Sequence, residues 1–221
     1  MFVGREAMGL LIKADQGHPA KEVLKQAAMV LEQDGVLVMP TDSVYGIGCA
    51  AKPHNPALKR IFAIKNRPLD QTLPLLIAEA GDRDSLGKNV PTWAHRLAKK
   101  FWPGALTLVV RASANVPPEY QRPGQVSTIA LRLPDSNFVR ALIRYVGTPL
   151  ATTSANIHGA PSATSGAGLD PAIVSAVGSS VDAGMAPFAV ASTIVASTGK
   201  ERRIIRVCAF TFEQIMSVGS A

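Results

Sequence analysis

The 221-residue chain has only two cysteines, Cys49 and Cys208, far apart and in no CxxC arrangement. Their spacing supplies neither a zinc knuckle nor a disulfide framework, and reduced thiols in a cytoplasmic protein are the simplest account. Aromatic residues are scarce at 5%, with three Tyr and two Trp, so platforms for stacking single-stranded bases are few. No apolar run approaches the roughly 18 residues of a membrane span. Glu6 and Lys13 interrupt the apolar core that a secretory leader needs. No membrane partner is expected. The sequence also lacks GxxxxGK(S/T), HExxH and GxSxG. His18, His54, His95 and His158 stand at no ligand spacing, so no metal site is expected. If phosphates are handled, they are handled without a P-loop.

What is present is positive charge and a generous apolar content. The net charge is +7, with 47% hydrophobic and 18% charged residues. That composition belongs to a folded globular chain and suits a polyanionic partner, nucleotide or RNA. A basic surface that serves only solubility is the plainer alternative. Neither an internal repeat nor a linker divides the sequence, so residues 1–221 are expected to form one domain. Residues 1–7 either belong to the native chain or precede a later start at Met8.

The stretch Gly35 to Pro68 organises the rest. Gly35-Val-Leu-Val-Met39 suits a buried strand, and Pro40 stops it. Thr41-Asp42-Ser43 then brings three side-chain oxygens together, ahead of Gly46 and Gly48, where positive φ or close approach of the backbone to a ligand is expected. Leu58, Ile61, Phe62 and Ile64 form one helical stripe, and Pro68 ends that helix near Lys65-Asn66-Arg67. Two cations at a helix end, after a polar loop leaving a strand, fit an anion-binding crevice at the mouth of an α/β sheet.

Alternating strands and helices follow. Pro19 to Gln33, Pro91 to Phe101 and Pro134 to Tyr145 read as helices, with a weaker one at Asp170 to Val177 and a last one at Thr211 to Val218. Leu73 to Ala78 reads as a strand with an edge or bulge at Pro74. Further strands are expected at Ala105–Val110, Val126–Leu133, Pro149–Ala151, Ala189–Ala196 and Arg203–Val207. Ser113 to Gln125 reads as a surface loop, and Ile157 to Leu169, rich in Gly, Ala and Ser, as a flexible loop or lid. Thr128, Ala130 and Arg132 share one face of their strand. A strand-borne Arg132 or Arg206 is either paired with a carboxylate or aimed at a ligand. Ser154 and Asn156 place a hydroxyl and an amide two apart, suited to phosphate or carboxylate oxygens or to capping their own turn. Ser192-Thr193 sets hydroxyls in an apolar run. The set is cationic or hydroxylic and nearly free of carboxylates, as a site for a multiply charged anion would be.

Pro40-Thr-Asp-Ser-Val-Tyr-Gly-Ile-Gly48, Lys65-Asn-Arg-Pro68, Trp102-Pro-Gly-Ala-Leu-Thr107, Ile129-Ala-Leu-Arg-Leu-Pro134 and Ser154-Ala-Asn156 resemble, in order, motifs of the YrdC-like threonylcarbamoyl-AMP synthases. The resemblance covers about residues 23–210, and it is to the short form, without the additional C-terminal domain of longer members. It implies an α/β fold, an open twisted mixed sheet with helices packed on it around a basic concave groove. It implies a nucleotidyltransferase making threonylcarbamoyl-AMP and pyrophosphate from L-threonine, bicarbonate and ATP, with Mg²⁺ carried by the phosphates. The adenylate would pass to tRNA threonylcarbamoyl-transferase proteins that modify tRNA. Carried over by position, Lys65 and Arg67 would be catalytic. Lys65, Arg67, Thr128, Ser154, Asn156, Ser162 and Arg206 would bind ATP, and Thr41, Arg132, Thr152 and Ser192 would bind threonine. Ala191 stands where the family often has Glu, Val207-Cys208 where Pro-Gly is expected, and Asp182-Ala183-Gly184 where Asp-Gly-Gly is expected. Two other readings stand beside the synthase. One is a non-catalytic RNA-binding module that lays the basic groove on tRNA or double-stranded RNA. The other is a paralogue that acts on another carbamoyl or acyl adenylate.

Overall fold

The computed structural model describes residues 10–68, 71–199 and 201–219. The start of the chain, including residues 1–7 and Glu6, lies outside them. Among the described residues the strands are β1 (Leu10–Lys13), β2 (Leu37–Met39), β3 (Gly46–Ala50), β4 (Leu75–Leu76), β5 (Gly87–Lys88), β6 (Leu106–Ala112), β7 (Thr128–Arg132), β8 (Leu150–Ser154), β9 (Ser179–Asp182), β10 (Thr193–Ala196) and β11 (Arg203–Arg206). The helices are α1 (Lys21–Glu32), α2 (Ala57–Ile64), α3 (Asp82–Leu86), α4 (Thr92–Phe101), α5 (Asn137–Val146), α6 (Pro171–Val177) and α7 (Phe212–Met216). One mixed sheet joins the strands in the order β1-β9-β2-β3-β8-β4-β7-β6-β10-β11, with β5 beside β6.

Alternation along the strands separates two cores. Leu37 and Met39 of β2, Leu76 of β4 and Leu150 of β8 pack with Ala27, Ala28 and Leu31 of α1 and Phe138, Val139 and Leu142 of α5. Their neighbours Val38, Leu75 and Ala151 turn to the other face, where α2, α4, α6 and α7 contribute Ile61, Trp93, Leu97, Ile173 and Ile215. Leu106, Leu108 and Val110 of β6, Ile129 and Leu131 of β7 and Val195 of β10 belong to that second core as well. Side chains two apart in a strand share a face. The second core therefore runs under the sheet from β2 to β10, whereas the α1–α5 core runs from β1 and stops at β4.

Several elements differ from the sequence reading. Gly46 and Gly48 lie inside β3, not in a loop, and neither has positive φ. What they permit is close approach of β8: a Cβ on Gly48 would lie 2.5 Å from Thr152 Oγ1 and 2.9 Å from the Ala151 carbonyl oxygen. Pro74 does not mark an edge. β4 is interior, between β8 and β7, and the proline precedes its two residues, so its missing N–H interrupts no ladder. β8 continues past Ala151 to Ser154, paired along its length with β3. Ser113 to Gln125 is more than surface, because Val116 and Tyr120 are buried and the Tyr120 hydroxyl donates to the Lys52 carbonyl at 2.9 Å. The segment Ile157 to Leu169 is tied down: Ala163 O accepts from Tyr45 N at 2.8 Å and Thr164 O from Ala186 N at 2.7 Å. β1, β5, β9 and α3 are short, three of them polar, and offered no periodicity to read.

Gly48→Ala is expected to cost about 1–3 kcal/mol, since a backbone oxygen must move aside. Gly81→Ala, where nothing lies within 4 Å of the new Cβ, should stay within about 0.5 kcal/mol of the parent. Urea unfolding compares them, and equal midpoints would remove the close-approach explanation.

Candidate active site

A cavity of about 550 Å³ lies on the part of the sheet that α1 and α5 leave bare. It sits on the sheet face, not at the ends of parallel strands as the crevice reading expected. Strand register arranges its floor in rows. Leu108 pairs with Leu131 and Val109 with Ala130, so Thr107 and Arg132 fall in one row. Thr107 pairs with Ile194, and Ile194 with Arg206, which extends that row across four strands. Ala130, Val109, Ala196 and Arg203 form the next row by the same pairings. Thr128 begins a third, about 13 Å from the first at the usual strand rise. A register shift between Ile194 and Val195 leaves Ile205 as an extra residue, so Ile205 and Arg206 both reach the cavity.

The first row is a polar network. Arg132 is buried at 6% exposure. It donates to Asp42 Oδ1 at 2.5 Å, Ser43 Oγ at 2.6 Å and the Gly104 carbonyl at 3.1 Å. Thr41 Oγ1 donates to the Val44 carbonyl at 2.7 Å and accepts from Ser43 N at 3.1 Å, which closes a tight polar turn after β2. Thr107 and Ser192 hydroxyls are 2.9 Å apart. Arg206 donates to the Ser192 carbonyl at 2.8 and 3.0 Å. The expectation that the set is nearly free of carboxylates thus fails for Asp42, which is buried against Arg132 with Oδ2 unpartnered. Among the described residues the cavity wall itself carries no carboxylate.

The far end is different. Arg67 follows α2, turned by Asn66 at φ 51°. Its Nη1 donates to Thr153 Oγ1 at 3.1 Å, and Nε is buried without a partner among the described residues. Burial lowers its pKa from the ordinary arginine value. Ser154, Thr128 and Ser162 line the same end.

Of the residues singled out in the sequence, Thr41, Arg67, Thr128, Arg132, Thr152, Ser154, Ser162, Ser192 and Arg206 line the cavity. Lys65 and Asn156 do not. Lys65 is 2% exposed. It donates to the carbonyls of Ser154 and Asn156, both at 2.5 Å, and to Asn156 Oδ1 at 3.3 Å. Asn156 Nδ2 donates onward to the carbonyls of Ile157 at 2.9 Å and Ala160 at 2.6 Å. The two motifs therefore hold one another, clipping α2 to the end of β8 and to the segment that carries Ser162. Desolvation, and secondarily Arg67, push the Lys65 pKa down to about 8. Arg122 and Arg203 also line the cavity and escaped the sequence reading. Both sit beside residues that had been singled out, Thr128 and Arg206, and pattern alone gave them no distinction.

A family model for Sua5, YciO and YrdC, described as "Telomere recombination", matches residues 29–208. The threonylcarbamoyl-AMP synthase of Bacillus subtilis is 35% identical over 195 residues, 88% of this chain and 56% of that protein. The threonylcarbamoyl-AMP synthase of Pseudomonas fluorescens is 39% identical over 142 residues, covering 63% of this chain and 74% of that protein. Pyrococcus abyssi Sua5 complexed with L-threonine superposes with a TM-score of 0.85 at 32% identity, over 95% of this chain and 60% of that one. Escherichia coli YciO shares the fold, with a TM-score of 0.78 at 23% identity, over 94% and 98% of the two chains. This α/β protein with a cationic sheet face belongs to the Sua5/YciO/YrdC family. It spans just over half the length of the Bacillus relative.

Lys65→Met is expected to lower stability at pH 7 by about 1–3 kcal/mol, because buried acceptors lose their donor. Lys65 also has a folded pKa of about 8 against an ordinary 10.5. Between those values the unfolded chain holds more protons, so the parent should gain stability relative to Lys65→Met as pH rises through that window. A flat difference would contradict the burial of the ammonium.

Proposed function

We propose that this chain is a threonylcarbamoyl-AMP synthase, a nucleotidyltransferase working on L-threonine, bicarbonate and ATP. One observation carries the reading: a single bare sheet face bears a hydroxyl-and-arginine network at one end and further arginines at the other, with no carboxylate on its wall among the described residues. The names of the relatives and the threonine complex of Pyrococcus abyssi Sua5 support it. They favour it over an RNA-binding module.

In this reading threonine occupies the first row, its carboxylate toward Arg132 and its hydroxyl among Thr41, Thr152 and Ser192. Condensation of its amine with bicarbonate gives the carbamate and water. A carbamate oxygen then attacks the α-phosphorus of ATP, the bond to the bridging oxygen of the β-phosphate breaks, and pyrophosphate leaves with that electron pair. The protein supplies no nucleophile. It holds two anions close and in line, and its fixed donors offset their repulsion. Asp42 neutralises part of Arg132 and fixes its orientation. Arg67, Thr128, Ser154, Ser162 and Arg206 take the nucleotide. Lys65 and Asn156 act on it through the Ser154–Ser162 segment that they hold in place. Mg²⁺ would enter as part of the nucleotide substrate, carried by its phosphates. No helix of the described residues is long and apolar enough to cross a membrane, and a cytoplasmic site of action goes with the tRNA-modification role.

Pyrophosphate release from ATP, measured with threonine and bicarbonate each present or omitted, tests this. Release is expected only with both. Release that ignores threonine, or prefers another amino acid, would overturn the assignment and turn attention to Ala191.

A further inference from the structure

Arg122 and Arg203 are the cationic residues of the cavity that the proposed chemistry has not yet used. Arg203 lies on β11 opposite Ala196, in the middle row. Arg122 lies before β7, its backbone fixed to Thr128 by two hydrogen bonds, Arg122 N to Thr128 O at 2.8 Å and Thr128 N to Arg122 O at 3.1 Å. Just before it, Tyr120 is 1% exposed and anchors the segment in the core. The backbone at Arg122 is thus held while the side chain is exposed. Neither guanidinium is bonded to a side chain or carbonyl, or paired with a carboxylate, among the described residues. The contrast with Arg132 and Arg206 is plain, since those two are already occupied by Asp42, Ser43 and Ser192.

Their direction from the first row matters. In-line displacement at phosphorus places the leaving group opposite the nucleophile. If the carbamate attacks from the Thr41–Arg132–Ser192 row, the bond to the leaving phosphates points along the strands toward Thr128. Arg67, Arg122 and Arg203 are the cations found in that direction. We propose that Arg122 and Arg203 form, with Arg67, the seat of the β- and γ-phosphates and of the departing pyrophosphate. Arg122 closes the side at β7 and Arg203 the side at β11. Charge accumulates on the bridging oxygen as it leaves, and two forked donors without competing partners are suited to take it. This assignment rests on the synthase reading for its mechanism, but the anion site itself does not need it.

The test uses the full chain with Arg122→Ala and Arg203→Ala. Inorganic pyrophosphate binding is measured by calorimetry, and steady-state KM is measured for ATP and for threonine. Each variant should weaken pyrophosphate binding and raise the ATP KM by about tenfold or more, with the threonine KM within about twofold of the parent. Arg122→Lys should fall between, keeping the charge and losing the fork. Unchanged pyrophosphate binding in both alanine variants overturns the proposal, as does a change confined to threonine. Loss of RNA binding with pyrophosphate binding intact also overturns it. If the parent chain binds pyrophosphate through these arginines yet releases none from ATP, the anion seat stands and the synthase reading falls.

Discussion

A sheet covered on one face from β2 to β10 and on the other only as far as β4 sets the terms for this molecule. The continuous core beneath it lets Thr107, Val109, Ala130, Ile194 and Ala196 remain open to a cavity without loss of the fold. A bare sheet face of large apolar side chains would invite association. Here the apolar residues Val109, Ile194 and Ile205 are interspersed with small residues, hydroxyls and arginines. The helix pair α1 and α5 stops short of it, and the register of β4, β7, β6, β10 and β11 converts sequence distance into ordered rows.

The electrostatics follow from the same plan. Arg132 is buried, so it cannot stand alone, and Asp42 and Ser43 reach it from the turn after β2. That pairing lets a second anion approach without leaving an unmatched charge in its absence. Lys65 solves the corresponding problem with carbonyls in place of a carboxylate, which leaves an ammonium that burial holds down near 8. Arg67, Arg122 and Arg203 are more loosely provided for, which suits the phosphate seat proposed for them. Cys49, by contrast, is pushed up to about 12 by burial and serves only as packing.

Much of this was legible in the order of residues. Thr128, Ala130 and Arg132 could be placed on one face because a strand has period two, and the stripe of α2 because a helix has period 3.6. The motifs around Thr41, Lys65 and Ser154 could be recognised as belonging together. What they do to one another could not: Lys65 and Asn156 each read as a donor aimed outward, and three-dimensional closure turned them on each other. Pro74 misled because a two-residue strand can follow a proline even in the middle of a sheet. Arg122 was hidden in a Pro- and Gly-containing segment whose anchor, Tyr120, has no periodic signature. β9 was missed because Ser179-Ser-Val-Asp182 is short and polar, yet it carries Asp182, which holds Lys13 and the Tyr45 hydroxyl.

The central claim is that one bare sheet face orders two anionic substrates end to end. A crystal structure with L-threonine and an ATP analogue bearing a methylene between the α- and β-phosphates tests it most directly. The account predicts the threonine carboxylate within hydrogen-bonding reach of Arg132, and the β- and γ-phosphates toward Arg67, Arg122 and Arg203. Phosphates seated in the Arg132–Ser192 row, with threonine at the Thr128 end, would contradict it.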